Sequence, residues 1–241
     1  MINRYVALDI ETTGLNPAVD RIIEVGMARV EDGQITQKYS TLVYPGISVS
    51  ERITELTGIH NEELAGKPRI EEIIGDITRF IGDWPILGHN VTFDFSFLKR
   101  AAVNNGYTIT DDGIDTLKIA RKTMPELESK ALDYLCRYFG ILDENHHRAF
   151  NDAAVTVELY NILCGKFGAE YKEVFEPQPL VCKIKKIQPA TAKQIKYLKD
   201  LMAYHGIEEQ IEYDKLSKNE ASKKIDKIIS KKGRIFGFEN K

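Results

Sequence analysis

The sequence predicts an α/β fold, a sheet with helices on its faces, followed by a small C-terminal two-helix module. Three observations predict it. Three β-branched stretches open the chain in succession, helical periodicity then takes over to about residue 166, and a proline-punctuated stretch separates that region from a lysine-rich end.

Strands are expected at about residues 3–11, 21–31 and 34–44, with "EDGQ" (31–34) as the hairpin-like turn between the last two, so the first three strands form an antiparallel meander. Ile70, Ile73, Ile74, Ile77, Phe80 and Ile81 then recur at three and four residues, which places them on one face of a helix that covers the sheet. "PILGHN" (85–90) is a short apolar run, the expected fourth strand, whose end delivers His89 and Asn90. A helix follows from about Thr92 to Asn104. Two more are expected over about 129–139, from Leu132, Leu135, Cys136 and Phe139, and over about 150–166, from Ala153, Val157, Tyr160, Leu163 and Cys164. From about 168 periodicity is lost, and Pro177, Pro179 and Pro189 mark a linker. The expected division is therefore a domain over 1–170, a linker over 171–190 and a basic helical module over 191–241. In that module Ile195, Leu198 and Met202 align on one helix, and "SKNE" (217–220) is a capping-box pattern that opens a second, with Ala221, Ile225 and Ile228 aligned.

With 241 residues, 43% hydrophobic and 29% charged, the chain can bury one large core and a smaller one, which excludes general disorder. Cys136, Cys164 and Cys182 are an odd set without C-x-x-C spacing, which excludes a disulfide framework and a thiolate zinc site and fits a reducing cytoplasm. The N-terminus runs into the first strand without a basic and apolar leader, and no apolar run approaches the roughly 20 residues of a membrane span. A cytoplasmic protein with no membrane partner is expected. The net charge of −3 conceals a division: residues 1–182 carry 18 Lys and Arg against 28 Asp and Glu, net −10, and residues 183–241 carry 15 against 8, net +7.

The first strand, "RYVALDIETTGL" (4–15), poses a chemical problem, because an ionised carboxylate taken out of water costs several kcal/mol unless a positive charge neutralises it. Asp9 and Glu11 are two apart, so both side chains point to one face. A solvated edge strand would carry the same pair. Asp94, in "HNVTFDFSFL" (89–98), falls on the first turn of a helix, where a carboxylate is favoured by the dipole, beside Phe93, Phe95 and Phe97. In "HHRAFNDAAVTVELY" (146–160), His147 stands five residues before Asp152, which begins another helix. Separately, each cluster is as well explained by structure as by function. Together, four acids and one histidine are the set that divalent metals and phosphoryl chemistry require.

"DIETTGL" (9–15), "HNVTFD" (89–94) and "HHRAFND" (146–152), in that order, resemble the three motifs of the DEDDh family of 3′→5′ exonucleases, in particular the proofreading, epsilon-type exonucleases of bacterial DNA polymerase III. The resemblance covers about residues 1–167. It implies a ribonuclease H-like fold with a mixed five-stranded sheet. It also makes Asp9, Glu11, Asp94 and Asp152 ligands of two Mg²⁺ or Mn²⁺ ions about 4 Å apart, with His147 as general base. His146 lacks the five-residue spacing to Asp152, and the sister subtype's tyrosine position is here Arg148. By the same resemblance Thr12, Thr13 and Leu15 surround the terminal sugar and base, and Asn90 and Phe95 line the substrate cleft. The implied activity is release of nucleoside 5′-monophosphates from the 3′ end of single-stranded DNA, in replication proofreading or repair, with a replicative polymerase as partner. RNA trimming is the alternative within the fold, because discrimination depends on how the 2′-OH position is lined. A non-catalytic nucleic-acid or polymerase-binding relic would have lost at least one of the five site residues, and all are present.

The surplus lysine of the C-terminal end, Lys183, Lys185 and Lys186 before its helices and Lys223, Lys224, Lys227, Lys231, Lys232 and Arg234 in or after them, reads as a nucleic-acid-binding surface. A solvated lysine-rich hairpin has the same composition.

Overall fold

The computed structural model describes residues 2–142, 148–182, 184 and 188–235. The expectations for His146 and His147, and for Lys183, Lys185 and Lys186, concern residues outside these. Two compact units divide the chain, Met1–Ile184 and Lys185–Lys241.

In the first unit β1 (Arg4–Thr12), β2 (Ile22–Glu31) and β3 (Gln34–Leu42) form the expected antiparallel meander. Asp32 and Gly33 both take positive φ, 49° and 77°, the two-residue turn whose twist matches that of the strands it joins. β4 (Ile86–Gly88) pairs in parallel with β1 on its other side, β5 (Asp112–Asp115) in parallel with β4, and β6 (Gln178–Pro179) antiparallel with β5. The order is β3-β2-β1-β4-β5-β6, six strands where five were expected. The sixth comes from the stretch read as linker. Leu180, 4% exposed, packs where Gly113 leaves room: a Cβ there would lie 2.5 Å from the Leu180 side chain. A two-residue strand ending in proline at a sheet edge leaves no periodicity to detect.

Apolar side chains alternate to the two faces of the meander, so both faces are covered. On one face Val6, Leu8, Ile10, Val25 and Met27 pack on α3 (Ile70–Ile81) through Ile74, Ile77 and Ile81 and on α4 (Thr92–Asn104) through Phe95 and Leu98. On the other Tyr5, Ala7, Ala28 and Val30 meet α5 (Thr116–Thr123), α6 (Leu132–Phe139) and α7 (Ala149–Phe167). Two short helices between β3 and α3, α1 (Glu51–Thr57) and α2 (Asn61–Leu64), close a small third cluster on Ile23. Covering helices on both faces explain why β1 reads as a nearly continuous apolar run.

In the second unit α8 (Ala192–Tyr204) and α9 (Lys218–Lys232) enclose Leu198, Met202, Leu216 and Ala221. Both start on reciprocal caps: Thr191 with Gln194, and Ser217, whose Oγ accepts from the Glu220 amide at 3.2 Å while the Glu220 carboxylate accepts from the Ser217 amide at 3.0 Å. Among the described residues no helix is long and apolar enough to cross a membrane.

Candidate active site

Asp9 and Glu11 project from β1 on the face that α7 covers, and their partners across the β1–β2 ladder are Gly26 and Glu24. The ladder slips at Glu11–Thr12, a bulge that ends regular pairing beside the two acids. The third acid arrives from α7. Its first turn sits directly on Gly26, where a Cβ would lie 2.1 Å from the Phe150 nitrogen and 2.2 Å from the Ala149 carbonyl carbon. That seat brings Asp152 to β1, and carboxylate oxygens of Asp9, Glu11 and Asp152 all lie within 4.8 Å of one another. Asp94 approaches from the opposite side, on the first turn of α4. It is 4% exposed and its Oδ1 accepts from the Ile10 amide, between the two β1 acids, at 3.1 Å.

The electrostatics are those of crowded anions. Burial first, then the charges of Asp94, Asp152, Glu11 and Glu24, hold Asp9 well above the usual carboxylate range. Burial and the charges of Asp152, Glu24 and Asp94 push Glu11 up to about 8, against the pull of Arg148. Burial also pushes Asp94 up to about 8, although hydrogen bonds from its own amide and that of Ile10 oppose it. Carboxylates gathered at such cost need either protons or a cation. The donors are hard oxygens, with no thiolate among them, and they fit divalent ions of the Mg²⁺, Mn²⁺ or Ca²⁺ type.

A family model described as exonuclease matches residues 6–160, from within β1 to within α7, the span that holds all four acids. The chain belongs to the exonuclease family. The DNA polymerase III subunit epsilon of Aquifex aeolicus is 39% identical to this chain over 157 residues, 65% of this chain and 78% of that one. The PolC-type DNA polymerase III of Clostridium perfringens is 38% identical over 168 residues, 70% of this chain; the chain spans 12% of that relative's length. Among solved structures, Exonuclease X in complex with 5′-overhanging duplex DNA superposes with a TM-score of 0.55 at 25% identity, over 69% of this chain and 93% of that one. Escherichia coli exonuclease I in complex with a dT13 oligonucleotide gives 0.62 at 20%, over 71% and 43%, a likeness of fold. The sheet and its two helical layers are ribonuclease H-like.

The loop after β1 is tied shut by its own hydrogen bonds. The Arg21 amide donates to Thr13 Oγ1 at 2.9 Å, the Thr12 hydroxyl donates to the Gly14 carbonyl at 2.7 Å, and the Asp20 carboxylate accepts from the Asn16 amide at 2.7 Å. Thr12 is buried, and the loop holds Leu15 out in solvent, 84% exposed. Asn90, after β4, is exposed in the left-handed region at φ 65°, its amide donating to Asp115 Oδ1 at 2.9 Å. His89 is tied to Thr116 Oγ1 at 2.9 Å and the Lys130 carbonyl at 2.8 Å, and burial lowers its pKa. Phe95 requires a correction. It is fully buried against β1, not on a cleft wall, because residues two apart on a helix face different ways. Phe93 and Phe97, four apart, pack with their ring centroids 5.2 Å apart and their planes tilted by 55°, with Phe93 partly exposed.

Glu24 escaped the sequence reading although it poses the same problem as Asp9: a carboxylate in the apolar run "RIIEVGMARV" (21–30). It is 2% exposed and paired with Arg148, whose Nη2 donates to Oε1 at 2.8 Å.

Proposed function

We propose that the chain is a divalent-cation-dependent 3′→5′ exodeoxyribonuclease that releases nucleoside 5′-monophosphates from the single-stranded 3′ end of DNA, in replication proofreading or repair. The observation that carries this reading is the convergence of the Asp9, Glu11 and Asp152 carboxylates in a chain of the exonuclease family. Asp9, Glu11, Asp94 and Asp152 would hold the cations, two Mg²⁺ or Mn²⁺. Bound there, they supply a more acidic water and neutralise charge at the scissile phosphate. His147 takes the proton from the attacking water onto an imidazole nitrogen, and the hydroxide displaces the 3′-oxygen in line. Leu15 offers an apolar surface to the terminal base, with Thr12, Thr13 and Asn90 around the sugar. Phe95 serves from the core, anchoring the turn that carries Asp94.

The epsilon relative is by name a polymerase subunit, which supports a replicative polymerase as partner. The basic end, with Lys223, Lys224, Lys227, Lys231, Lys232 and Arg234 on or just beyond α9, binds the nucleic-acid strand in this reading. The test is incubation of matched single-stranded DNA and RNA oligonucleotides, labelled at either end, with Mg²⁺ or Mn²⁺. Stepwise shortening of DNA from its 3′ end with mononucleotide release is expected. Preference for RNA would replace the substrate; no release with either ion would overturn the reading.

A further inference from the structure

Asp152 reaches the site from α7, and α7 owes its position to contacts that are not themselves part of the acidic cluster. Glu24 lies across the ladder from Glu11, so its carboxylate would be one more repelling charge. Both its oxygens are instead occupied by hydrogen bonds. Arg148 Nε donates to each at 3.2 Å, Arg148 Nη2 donates to Oε1 at 2.8 Å, and the Ala149 amide, at the start of α7, donates to Oε2 at 3.1 Å. The Arg148 carbonyl in turn accepts from the Asp152 amide at 3.1 Å. A chain of bonds thus runs from a side chain buried in β2, through Arg148, to the backbone of Asp152. Gly26 sets the depth of the seat, and Lys38, on β3, caps the Phe150 ring at 3.7 Å. A buried carboxylate is costly to keep, and a bidentate arginine gives it geometric precision that a point charge would not.

We propose that Glu24 and Arg148 are a positioning pair that fixes the first turn of α7, and with it the Asp152 carboxylate, against Asp9 and Glu11; this rests on the reading of those acids as a cation site. The role assigned to the pair is exerted through the backbone of α7. Arg148→Lys keeps the charge and loses the planar fork. The pair's role therefore predicts about tenfold weaker Mn²⁺ binding, the scale of loss when groups that orient metal ligands are removed. A similar fall in kcat is expected, with KM for single-stranded DNA little changed. Arg148→Ala separates positioning from charge. An uncompensated Glu24 carboxylate beside the site would tighten Mn²⁺ binding if charge alone mattered, whereas loss of position weakens it.

The experiment titrates the metal-free full-length chain with Mn²⁺ alone by calorimetry, alongside steady-state cleavage and melting curves, for wild type, Arg148→Lys, Arg148→Ala, Glu24→Gln and Asp152→Asn. Weaker Mn²⁺ binding in all three variants of the pair, each still melting cooperatively, is the expected result. Unchanged affinity and kcat in Arg148→Lys, or tighter Mn²⁺ binding in Arg148→Ala, overturns the proposal. Should Arg148→Ala fail to fold, Arg148→Lys decides alone. The underlying site reading fails separately, if wild type neither binds Mn²⁺ nor cleaves, or if Asp152→Asn matches wild type in both.

Discussion

At the scale of residues, the dominant fact is the burial of carboxylates, to which their mutual repulsion adds. Asp9→Asn removes one charge from that set, so the metal-free protein should gain stability while Mn²⁺ binding and nucleotide release are lost. Since about 1 kcal/mol moves the Tm of a domain this size by roughly 2–4 °C, a rise of a few degrees in EDTA is expected. A metal-free Tm that falls instead would show Asp9 to be a structural residue. The pH dependence follows from the same groups. Glu11 and Asp94 ordinarily titrate near 4.5 and 3.8 and are raised to about 8 in the fold. A raised carboxyl stabilises the fold fully below its unfolded pKa, and that contribution is lost as pH rises through the folded one. Metal-free stability from these two acids should therefore decline between about pH 4 and pH 8. A cation takes the deprotonated form and offsets the loss, so the Tm difference between Mn²⁺ and EDTA should widen from pH 6 to pH 8. Melting curves at the two pH values check this, and a constant gap would contradict it.

At the scale of elements, α7 docks on β2 through a glycine, with no slack. Gly26→Ala puts a methyl group 2.1 Å from the backbone of Phe150, which neither a rotamer nor a flexible side chain can relieve. Overpacking of this kind costs typically about 1–3 kcal/mol and more where backbone must move. Urea denaturation should show that loss, and Mn²⁺ affinity should fall with it because the helix carries Asp152. Loss of stability with Mn²⁺ affinity intact would place the strain elsewhere. In the second unit, Ser217→Ala removes the cap of α9 and should cost that unit about 1 kcal/mol, read as a lower midpoint for α8 and α9 by hydrogen exchange. Protection of α9 equal to wild type would mean that packing on Leu198 and Met202, not the cap, holds its first turn.

At the scale of the whole molecule, acid and base are segregated. The cluster and its supports belong to Met1–Ile184, and the lysine-rich helices to Lys185–Lys241. Removing residues 185–241 should therefore leave cleavage at saturating substrate nearly unchanged and raise KM. Each lost phosphate contact on a single strand should flatten the log–log dependence of affinity on salt by roughly 0.7. A truncated protein that folds and retains the parent KM and salt slope would assign the basic unit to something other than the nucleic acid. The negative charge of the first unit is no obstacle to an anionic substrate, because bound divalent ions reverse the sign where the phosphate must arrive.

By itself the sequence determined what depends on neighbours a few residues apart. The meander and its two-residue turn, α3 from Ile70 to Ile81, α4 from Thr92 and the Ser217 cap are each written in local periodicity or local hydrogen-bonding chemistry. So is the pairing of Asp9 and Glu11 on one face, because a strand has a period of two. The tertiary structure alone decided which distant groups meet. β5 and β6 are too short to carry a pattern, and the orientation of Phe95 follows from which side of α4 meets β1. Glu24 and Arg148 are 124 residues apart, and Ile10 and Asp94 are 84 apart. Whether a buried carboxylate such as Glu24 finds an arginine or a metal depends on the register of β2 against β1 and on how closely α7 can approach a glycine. Those are properties of the packed chain, because desolvation and pairing energies exist only once the partners have been brought together.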